Sequence, residues 1–414
     1  MGSYVICGGN KLDGSIKIES AKNSVLALIA GAVVCDKKVV IRDCPKINDV
    51  LSMLEILTYL GVEYNFNNGD LEIDSRDIKG YFVPKELTKK LRSSTYFLGA
   101  LLSKFGMAEI SFPGGCDIGK RPIDLHLSAL KCLGFSVDTD DELISCKRTF
   151  YKDSKVIFPI KSVGATINVI LACVKGRNRV TMYNCAKEPE IKDLADFLNS
   201  MGAKIWGAGT SRIVIQGVKE LSSTIYKPIA DRIELGTYLL AGALVGGNIQ
   251  FCNVQEENIN ILLNKIINNS CKMWVKNDIM KVKFTGSKKG FNLRTAPFPG
   301  FPTDLQPQTV TYLSLCRGEH IVKETLFENR FSYVKELRKF GAEIIDNGDH
   351  VRVIGVDCLS GARVCANDLR GGAALVLAGV VANGETVIDG VEHIERGYLD
   401  MPNKLKSLGV NVKN

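Results

Sequence analysis

Residues Leu28–Ile41, LIAGAVVCDKKVVI, combine an apolar helical segment rich in small residues, a polar turn and a β-branched strand. Similar phrases begin at Phe97, Val169, Leu239, Thr311 and Leu375. A helix that is apolar on nearly every face is typical of a buried position, and its Ala and Gly residues let neighbouring helices pack closely. The phrase therefore predicts six buried helices, each followed by a turn and a strand.

A second phrase recurs at the same spacing as the first. It is a Leu-Gly-like pair followed by alternating, strand-like residues. Its copies are centred on Gly61, Gly134, Gly202, Ser270, Gly341 and Gly409. Intervals of roughly 70 residues between them indicate an internal repeat. Each unit is predicted to contain a strand, a buried helix, a strand, an amphipathic helix and a hairpin. Asn68-Gly69 and Asn347-Gly348 predict type I′ turns in two of these hairpins.

The two ends of the chain are predicted to complete one unit together. The sixth unit stops at Val412 before its hairpin is complete, whereas Tyr4–Ile6 forms a strand ahead of the first unit. We expect these strands to pair. Six units then give two α/β domains of three units each, residues 20–229 and residues 1–19 plus 230–414. The chain crosses between them near residue 20 and near Pro228, so the cleft between the domains is the expected ligand site.

Composition is that of an ordinary globular protein, with 45% hydrophobic and 24% charged residues in 414. The net charge is +8, but no block of five basic residues and no aromatic-rich basic stripe occurs. We interpret this charge as an anionic small-molecule pocket and expect no nucleic acid and no membrane partner. The longest apolar run, Val25–Cys35, is too short to cross a bilayer.

The cysteines and histidines favour a reducing compartment and no metal. Thirteen cysteines are scattered without a CxxC pair, and four histidines lie far apart. These patterns predict free thiols, no zinc site and a cytoplasmic location.

One loop carries a candidate reactive thiol. Ser111–His126 reads SFPGGCDIGKRPIDLH, with Cys116 after a Gly pair and before the cations Lys120 and Arg121. Glycines let the backbone approach a ligand closely, and neighbouring cations lower the pKa of a thiol. The alternative is a surface loop with an incidental cysteine.

Cations stand where buried helices are predicted to begin. Lys22, Arg92 and Arg370 lie at such starts, where a positive charge opposes the helix dipole. Three aspartates at equivalent places are Asp231, Asp304 and Asp368. Helix capping accounts for the aspartates but not for the cations. With the loop residues Arg330 and Arg396, the cations predict a site for a multiply anionic ligand.

These residues resemble the enolpyruvyl transferases over essentially the whole chain. The matching phrases are Ala21-Lys22-Asn23, Pro113–Cys116 with Arg121-Pro122, Ser162–Ala165, Glu188–Glu190, Asp231-Arg232, Pro299–Asp304, Glu328–Phe331, Asp368–Arg370 and Arg396–Tyr398. The resemblance implies a two-domain inside-out α/β barrel. It also implies transfer of enolpyruvate from phosphoenolpyruvate to the 3-hydroxyl of UDP-N-acetylglucosamine with release of phosphate, the first committed step of peptidoglycan synthesis. No cofactor, metal or obligate protein partner is implied.

The resemblance assigns roles around phosphoenolpyruvate. Cys116 is expected to be the proton donor, on a loop that closes as a lid. Asp304 is expected to be the base that takes the hydroxyl proton. The groups expected to hold the phosphate and the rest of phosphoenolpyruvate are Lys22, Arg121, Arg370, Arg396 and Arg330. Bidentate arginine geometry suits both carboxylate and phosphate.

The nucleotide sugar is expected to contact a second set of residues. By resemblance these are Asn23, Arg92, Arg121, Pro122, Ile123, Asp124, Leu125, Ser162, Val163, Gly164 and Leu326. Amides near Ser162–Gly164, ahead of a buried helix, are suited to a diphosphate. Where relatives often carry a lysine two places before the Ser-Val-Gly phrase, this chain has Ile160, which leaves one diphosphate contact in doubt.

Two other functions remain open from the sequence. The sister family, the 3-phosphoshikimate 1-carboxyvinyltransferases, shares the fold but lacks the PGGC phrase. A catalytically silent paralogue that binds a nucleotide sugar as a sensor is a third possibility, against which the intact Cys116, Lys22 and Asp304 argue.

Overall fold

A computed structural model describes residues 2–114, 119 and 122–413. Their contacts divide the described chain into two compact units. We call residues 20–114 and 122–229 the middle unit, and residues 2–19, 119 and 230–413 the terminal unit.

The helices and strands follow one another in repeating order. The terminal unit opens with β1 (Ser3–Cys7) and β2 (Leu12–Lys17). The middle unit contains α1 (Lys22–Val34), β3 (Val39–Ile41), α2 (Asn48–Tyr59), β4 (Glu63–Asn67), β5 (Asp70–Asp74), β6 (Phe82–Val83), α3 (Lys85–Thr88), α4 (Tyr96–Phe105), β7 (Met107–Ser111), α5 (Asp124–Cys132), β8 (Phe135–Thr139), β9 (Leu143–Arg148), β10 (Ser154–Ile157), α6 (Val163–Cys173), β11 (Arg179–Tyr183), α7 (Pro189–Ser200), β12 (Lys204–Trp206), β13 (Arg212–Gln216) and β14 (Thr224–Tyr226).

The rest of the terminal unit repeats the same pattern. It contains α8 (Arg232–Val245), β15 (Gly247–Cys252), α9 (Asn260–Ser270), β16 (Cys271–Lys276), β17 (Ile279–Phe284), β18 (Leu293–Arg294), α10 (Gln306–Leu313), β19 (Glu319–Lys323), α11 (Val334–Lys339), β20 (Glu343–Asp346), β21 (His350–Ile354), β22 (Arg363–Cys365), α12 (Leu369–Val381), β23 (Glu385–Asp389), α13 (Met401–Ser407) and β24 (Asn411–Lys413). Short 3-10 helices span Arg92–Thr95, Glu256–Asn258, Thr303–Leu305 and Val391–His393.

Six four-stranded sheets carry the repeat through the described residues, and their strand order is the same each time. In the sheet β10-β11-β13-β12, the first pair is parallel and the other two pairs are antiparallel. The parallel pair encloses a buried helix, and the antiparallel strands form the hairpin. The expected α/β fold of six repeated units is confirmed.

Strands from distant parts of the chain complete three of the sheets. β1 pairs antiparallel with both β23 and β24, with Val5 opposite Lys413, so the predicted pairing of the chain ends is confirmed. Two further exchanges were not predicted. β14 pairs parallel with β3, and β2 pairs parallel with β15. The polar stretch before Pro228 thus contains a strand, because pairing with β3 satisfies its backbone.

The apolar helices lie at the centre of each unit, as predicted. In the middle unit these are α1, α4 and α6, and in the terminal unit α8, α10 and α12. Close packing depends on small residues: a Cβ on Gly99 of α4 would lie 2.5 Å from the carbonyl oxygen of Asn168 in α6. A side chain there would force the two helices apart.

The two predicted hairpin turns differ. Asn68 (φ 49°) and Gly69 (φ 86°) both have positive φ, which confirms a type I′ turn. The prediction at Asn347-Gly348 is wrong, because only Gly348 has positive φ. There the loop has one residue more, and the backbone N–H of Asn347 donates to the carbonyl oxygen of His350 at 3.0 Å.

Candidate functional site

Asp304 lies between two arginines of the terminal unit. It belongs to the 3-10 helix that precedes α10, and its side chain caps neither helix, so capping is the wrong explanation for this residue. Its Oδ1 accepts from Nη2 of Arg330 at 3.2 Å, and its Oδ2 accepts from Nη2 of Arg370 at 3.1 Å. The Asp304 side chain is 27% exposed, against 3% and 4% for the two arginines. The carboxylate is therefore the accessible member of this cluster.

Arg370 is a buried cation in the first turn of α12. Asp368 caps this helix as predicted, since its Oδ1 accepts from the backbone N–H groups of Arg370 and Gly371, each at 3.0 Å. Burial acts to lower the pKa of Arg370, but Asp304 raises it above its ordinary value, so the guanidinium stays charged. Among the described residues, Nη1 of Arg370 and Nε of Arg330 have no hydrogen-bond acceptor. Buried donors of this kind are costly unless a ligand accepts from them.

A buried hydroxyl network lies behind Arg370. The Tyr398 hydroxyl accepts from Nε2 of Gln308 at 3.1 Å and lies 2.9 Å from Oγ1 of Thr237. The guanidinium carbon of Arg370 is 5.5 Å from the centre of the Tyr398 ring. These contacts hold the arginine in one orientation.

The other two predicted residues of the terminal unit lie in loops. Leu326 is exposed, and its backbone N–H donates to Oε1 of Glu324 at 2.8 Å. Arg396 is half-buried in the turn between the last 3-10 helix and α13, where it has a partner within the chain.

Lys22 and Asn23 open α1 in the middle unit. Nζ of Lys22 lies 2.8 Å from Oδ2 of Asp49, and the two side chains are only 10% and 6% exposed. Asp49 was missed by sequence reasoning, because an acid in the first turn of α2 is explained by the helix dipole alone. The pair places a counter-charge beside a buried lysine at a helix start.

A second missed acid supports the same turn. Oδ2 of Asp193 accepts from the Ser24 hydroxyl, next to Asn23, and its Oδ1 accepts from the Tyr226 hydroxyl at 2.7 Å. Burial raises the pKa of Asp193 above its ordinary value. Asp193 thus holds the first turn of α1 in place through Ser24.

Arg92 begins the 3-10 helix that precedes α4. Its Nη2 donates to the carbonyl oxygen of Pro122 at 3.2 Å, so two predicted nucleotide-sugar residues lie together. Cys116 and Arg121, the central residues of the predicted loop, lie outside the described residues.

The predicted nucleotide-sugar residues that follow the loop lie at or just before the start of α5. Ile123 is buried. Asp124 and Leu125 form the first turn of α5. Ile160, which replaces the lysine common in relatives, is exposed.

The start of α6 offers unused amide donors. Ser162 caps the helix, its Oγ accepting from the N–H of Ala165 at 3.2 Å, while its carbonyl oxygen accepts from Thr166 at 3.0 Å. The N–H groups of Val163 and Gly164 have no acceptor in the described part of the chain. Free amides at a helix start favour an anion.

His126 packs against this helix start and was given no role from the sequence. Its Nδ1 lies 2.7 Å from Nδ2 of Asn168, and a Cβ on Gly164 would lie 2.8 Å from its Cε1. Burial, with a smaller effect of the Arg92 charge, lowers the pKa of His126 to about 3. The imidazole is therefore neutral, and Gly164 is required for its close packing.

Two other kinds of feature are absent from the described residues. There, no cluster of three or more His, Cys, Asp or Glu side chains could hold a metal ion. Nor does any helix in those ranges combine the length and apolar character needed to cross a bilayer.

Residues 6–405 match the family model of EPSP synthase (3-phosphoshikimate 1-carboxyvinyltransferase). The chain is 45% identical over 413 residues to UDP-N-acetylglucosamine 1-carboxyvinyltransferase 2 of Caldanaerobacter subterraneus subsp. tengcongensis, covering 100% of this chain and 99% of the relative. It is 42% identical to the UDP-N-acetylglucosamine 1-carboxyvinyltransferases of Halothermothrix orenii and Clostridium botulinum, again with 100% and 99% coverage.

Solved structures with this fold are similar along their whole length. The enolpyruvyl transferase NikO from Streptomyces tendae matches with a TM-score of 0.85 and 22% identity, over 99% of this chain and 98% of that one. EPSP synthase from Acinetobacter baumannii matches with a TM-score of 0.73 and 16% identity over 100% of both chains. At these identities the likeness concerns the fold alone.

Proposed function

The chain belongs to the EPSP synthase family of enolpyruvyl transferases, and we propose that it catalyses the reaction named for its relatives, 1-carboxyvinyl transfer to UDP-N-acetylglucosamine. The enolpyruvyl group comes from phosphoenolpyruvate, the acceptor is the 3-hydroxyl of the sugar, and phosphate is released. Several curated relatives at 39–45% identity over nearly the full chain carry this name. The product is a precursor of peptidoglycan, so the cytoplasm is the proposed location.

The reaction consists of an addition followed by an elimination. The sugar oxygen bonds to C2 of phosphoenolpyruvate while C3 gains a proton, and the hydroxyl proton passes to a base. Loss of a C3 proton then restores the double bond as the C2–O bond to phosphate breaks. Asp304 is the proposed base and Cys116 the proposed proton donor to C3. Cations around the phosphate stabilise the charge that develops as it leaves.

One observation carries the phosphoenolpyruvate half of the proposal. Nη1 of Arg370 and Nε of Arg330 are buried donors without an acceptor in the described chain, next to the partly exposed carboxylate of Asp304. A carboxylate or phosphate of the substrate would satisfy both donors, and its reacting carbons would then lie near Asp304. A neutral ligand would offer these charged donors weaker hydrogen bonds than an anion does.

The nucleotide-sugar half rests on the start of α6. The free N–H groups of Val163 and Gly164, with Arg92 close enough to His126 to affect its pKa, form an electropositive surface suited to a diphosphate. The neutral His126 adds bulk and no charge there. We propose that the diphosphate lies on these amides, and that Arg121 supplies the charge that Ile160 does not.

In the proposed reaction the two units carry different parts of the chemistry. We propose residues 20–229 and residues 1–19 plus 230–414 as the two domains, which close on the nucleotide sugar. Small-angle scattering with and without UDP-N-acetylglucosamine tests this, since closure lowers the radius of gyration. An unchanged radius at saturating ligand would contradict it.

Phosphate release from phosphoenolpyruvate tests the function itself. We expect release only when UDP-N-acetylglucosamine is present, and none with shikimate 3-phosphate. Release with shikimate 3-phosphate alone would favour the activity for which the family model is named. Tight binding of the nucleotide sugar without turnover would instead favour a sensor.

A further inference from the structure

The sheet β16-β17-β15-β2 of the terminal unit carries a lysine-rich outer face. Its register places Lys272 opposite Lys283, Trp274 opposite Lys281, and Lys276 opposite Ile279. The same three rows continue onto β15 and β2 as Asn248 and Asp13, Gln250 and Ser15, and Cys252 and Lys17. With strands ~4.8 Å apart and alternate residues ~6.8 Å apart, five lysines and one indole occupy an area of roughly 15 by 15 Å on one face of the sheet.

Four of the five lysines of this face carry charge that no acid of the described residues neutralises. Side chains of like charge directly opposite each other destabilise a sheet, and Lys272 and Lys283 form such a pair. In the described residues, no acid forms an ion pair with any of the lysines Lys272, Lys276, Lys281 and Lys283. The one acid on the face, Asp13, already accepts from Asn248 at its far corner.

In two other sheets of the same unit, arginines pair with acids on neighbouring strands. Arg352 of β21 forms two hydrogen bonds with Glu319, at 2.7 and 2.9 Å, and Arg363 of β22 bonds with Asp389. The charge excess of the lysine-rich face is therefore a property of this hairpin and not of the fold. This charge excess is not evident in the sequence, because the lysines alternate with apolar residues along each strand. In the sheet, alternate residues point to the same side, so the lysines share one face.

Apolar side chains are exposed at the end of the same hairpin. Trp274, Val275 and Ile279 are 58%, 36% and 37% exposed, and all lie within three residues of the Asn277-Asp278 turn. An apolar tip surrounded by lysines matches the layers of a membrane surface, where indoles enter the headgroup region and lysines attract anionic lipids.

From this arrangement we propose that the lysine-rich face docks on a membrane surface carrying anionic phospholipids. A second copy of the chain would present the same lysines and be repelled. Single-stranded nucleic acid favours a groove with several aromatic side chains, whereas this face is the outer side of a sheet and holds one aromatic side chain. The absence of a continuous basic block in the sequence led us to expect no membrane partner. Docking of this face would contradict that expectation.

Tryptophan fluorescence tests the proposal, because the chain has two tryptophans, each on a different exposed sheet. The Trp206→Phe variant reports Trp274 alone, and the Trp274→Phe variant reports Trp206 on β12 as the matched control. With vesicles of phosphatidylglycerol and phosphatidylcholine in equal parts, we expect a blue shift for Trp274 only. Vesicles of phosphatidylcholine alone, or salt at roughly 0.5 M, should abolish it.

Co-sedimentation with the same vesicles measures the lysines. Replacing Lys272, Lys281 and Lys283 with Ala should weaken binding about 100-fold, at roughly fivefold for each lysine. A control that removes the exposed Lys37, Lys131 and Lys204 of the middle unit lowers the net charge equally and should bind normally. Both variants should retain phosphate release, which shows that they fold.

Three outcomes would overturn the proposal. They are an equal loss of binding in the control variant, no Trp274 shift with anionic vesicles, and a Trp274 shift with single-stranded oligonucleotide but not with vesicles. The last result would assign the face to nucleic acid.

Discussion

Nη2 of Arg370 lies 3.1 Å from Oδ2 of Asp304, although the two residues are 66 positions apart in the chain. The contact links the first turn of α12 to the 3-10 helix that precedes α10. It keeps a cation stable where the dipole of α12 opposes it. It also leaves a partly exposed carboxylate beside buried donors that need an acceptor, which is the arrangement on which the proposed chemistry depends.

Replacing Asp304 with Asn should remove the base and keep the shape. We expect kcat for phosphate release to fall by about 10² to 10⁴, the usual contribution of a general base. The KM for the nucleotide sugar should change far less. Asp346→Asn, an exposed acid at the end of β20, is the matched control. A fall in kcat of less than tenfold would exclude Asp304 as the base.

Replacing Asp49 with Ala should destabilise the middle unit. Removing one partner of a buried ion pair leaves Lys22 uncompensated and costs about 3–5 kcal/mol in the free energy of unfolding. The control Glu72→Ala breaks the pair with Lys38, in which the two side chains are 39% and 50% exposed, and should cost much less because solvent screens an exposed pair. Urea unfolding of both variants measures the difference, and equal losses would contradict the buried pair.

Replacing Gly164 with Ala should disturb the start of α6. The new Cβ would lie 2.8 Å from Cε1 of His126, so the ring must shift, at a cost of about 1–3 kcal/mol. We also expect a higher KM for UDP-N-acetylglucosamine with little change in the KM for phosphoenolpyruvate. Gly80→Ala is the control, since its Cβ would meet nothing closer than 3.9 Å. Equal effects on both substrates would argue against a diphosphate at this helix.

His126 should make stability depend on pH. Its pKa is about 3 in the folded chain, against 6.5 for an ordinary histidine, so the unfolded chain binds a proton that the folded chain does not. Its contribution is present above pH 6.5 and is lost as pH falls toward 3, by up to about 1.4 kcal/mol per pH unit. Urea unfolding at pH 7 and pH 5 should show a smaller loss for His126→Asn than for the parent.

Cys116 should be the cysteine that the epoxide fosfomycin alkylates, once per chain. Burial raises the pKa of Cys173 to about 12 and of Cys316 to about 11, so neither thiol competes. The exposed cysteines of the described chain are Cys132, Cys358 and Cys365. Peptide mapping by mass spectrometry identifies the site. An adduct on any exposed cysteine that persists in Cys116→Ser would contradict a specially reactive loop thiol.

The repeat could be predicted from the sequence because its signals are local. Buried helices are recognised from their composition, and the pairing of β1 with β24 follows from a unit that lacks its last strand. The cations at helix starts were also found this way, since each opposes a dipole that its own helix creates. The partners Asp49, Asp193 and His126 were not found, because nothing near them in the chain indicates what they contact.

The sequence by itself determined the period, the buried helices and the residue types at their starts, because these depend on neighbours within a few turns of chain. Only the tertiary structure decided that Asp304 pairs with Arg330 and Arg370 and does not cap a helix. It also decided that Lys272 lies opposite Lys283. The reason is that such contacts are set by the register and packing of distant segments, which composition and spacing do not specify.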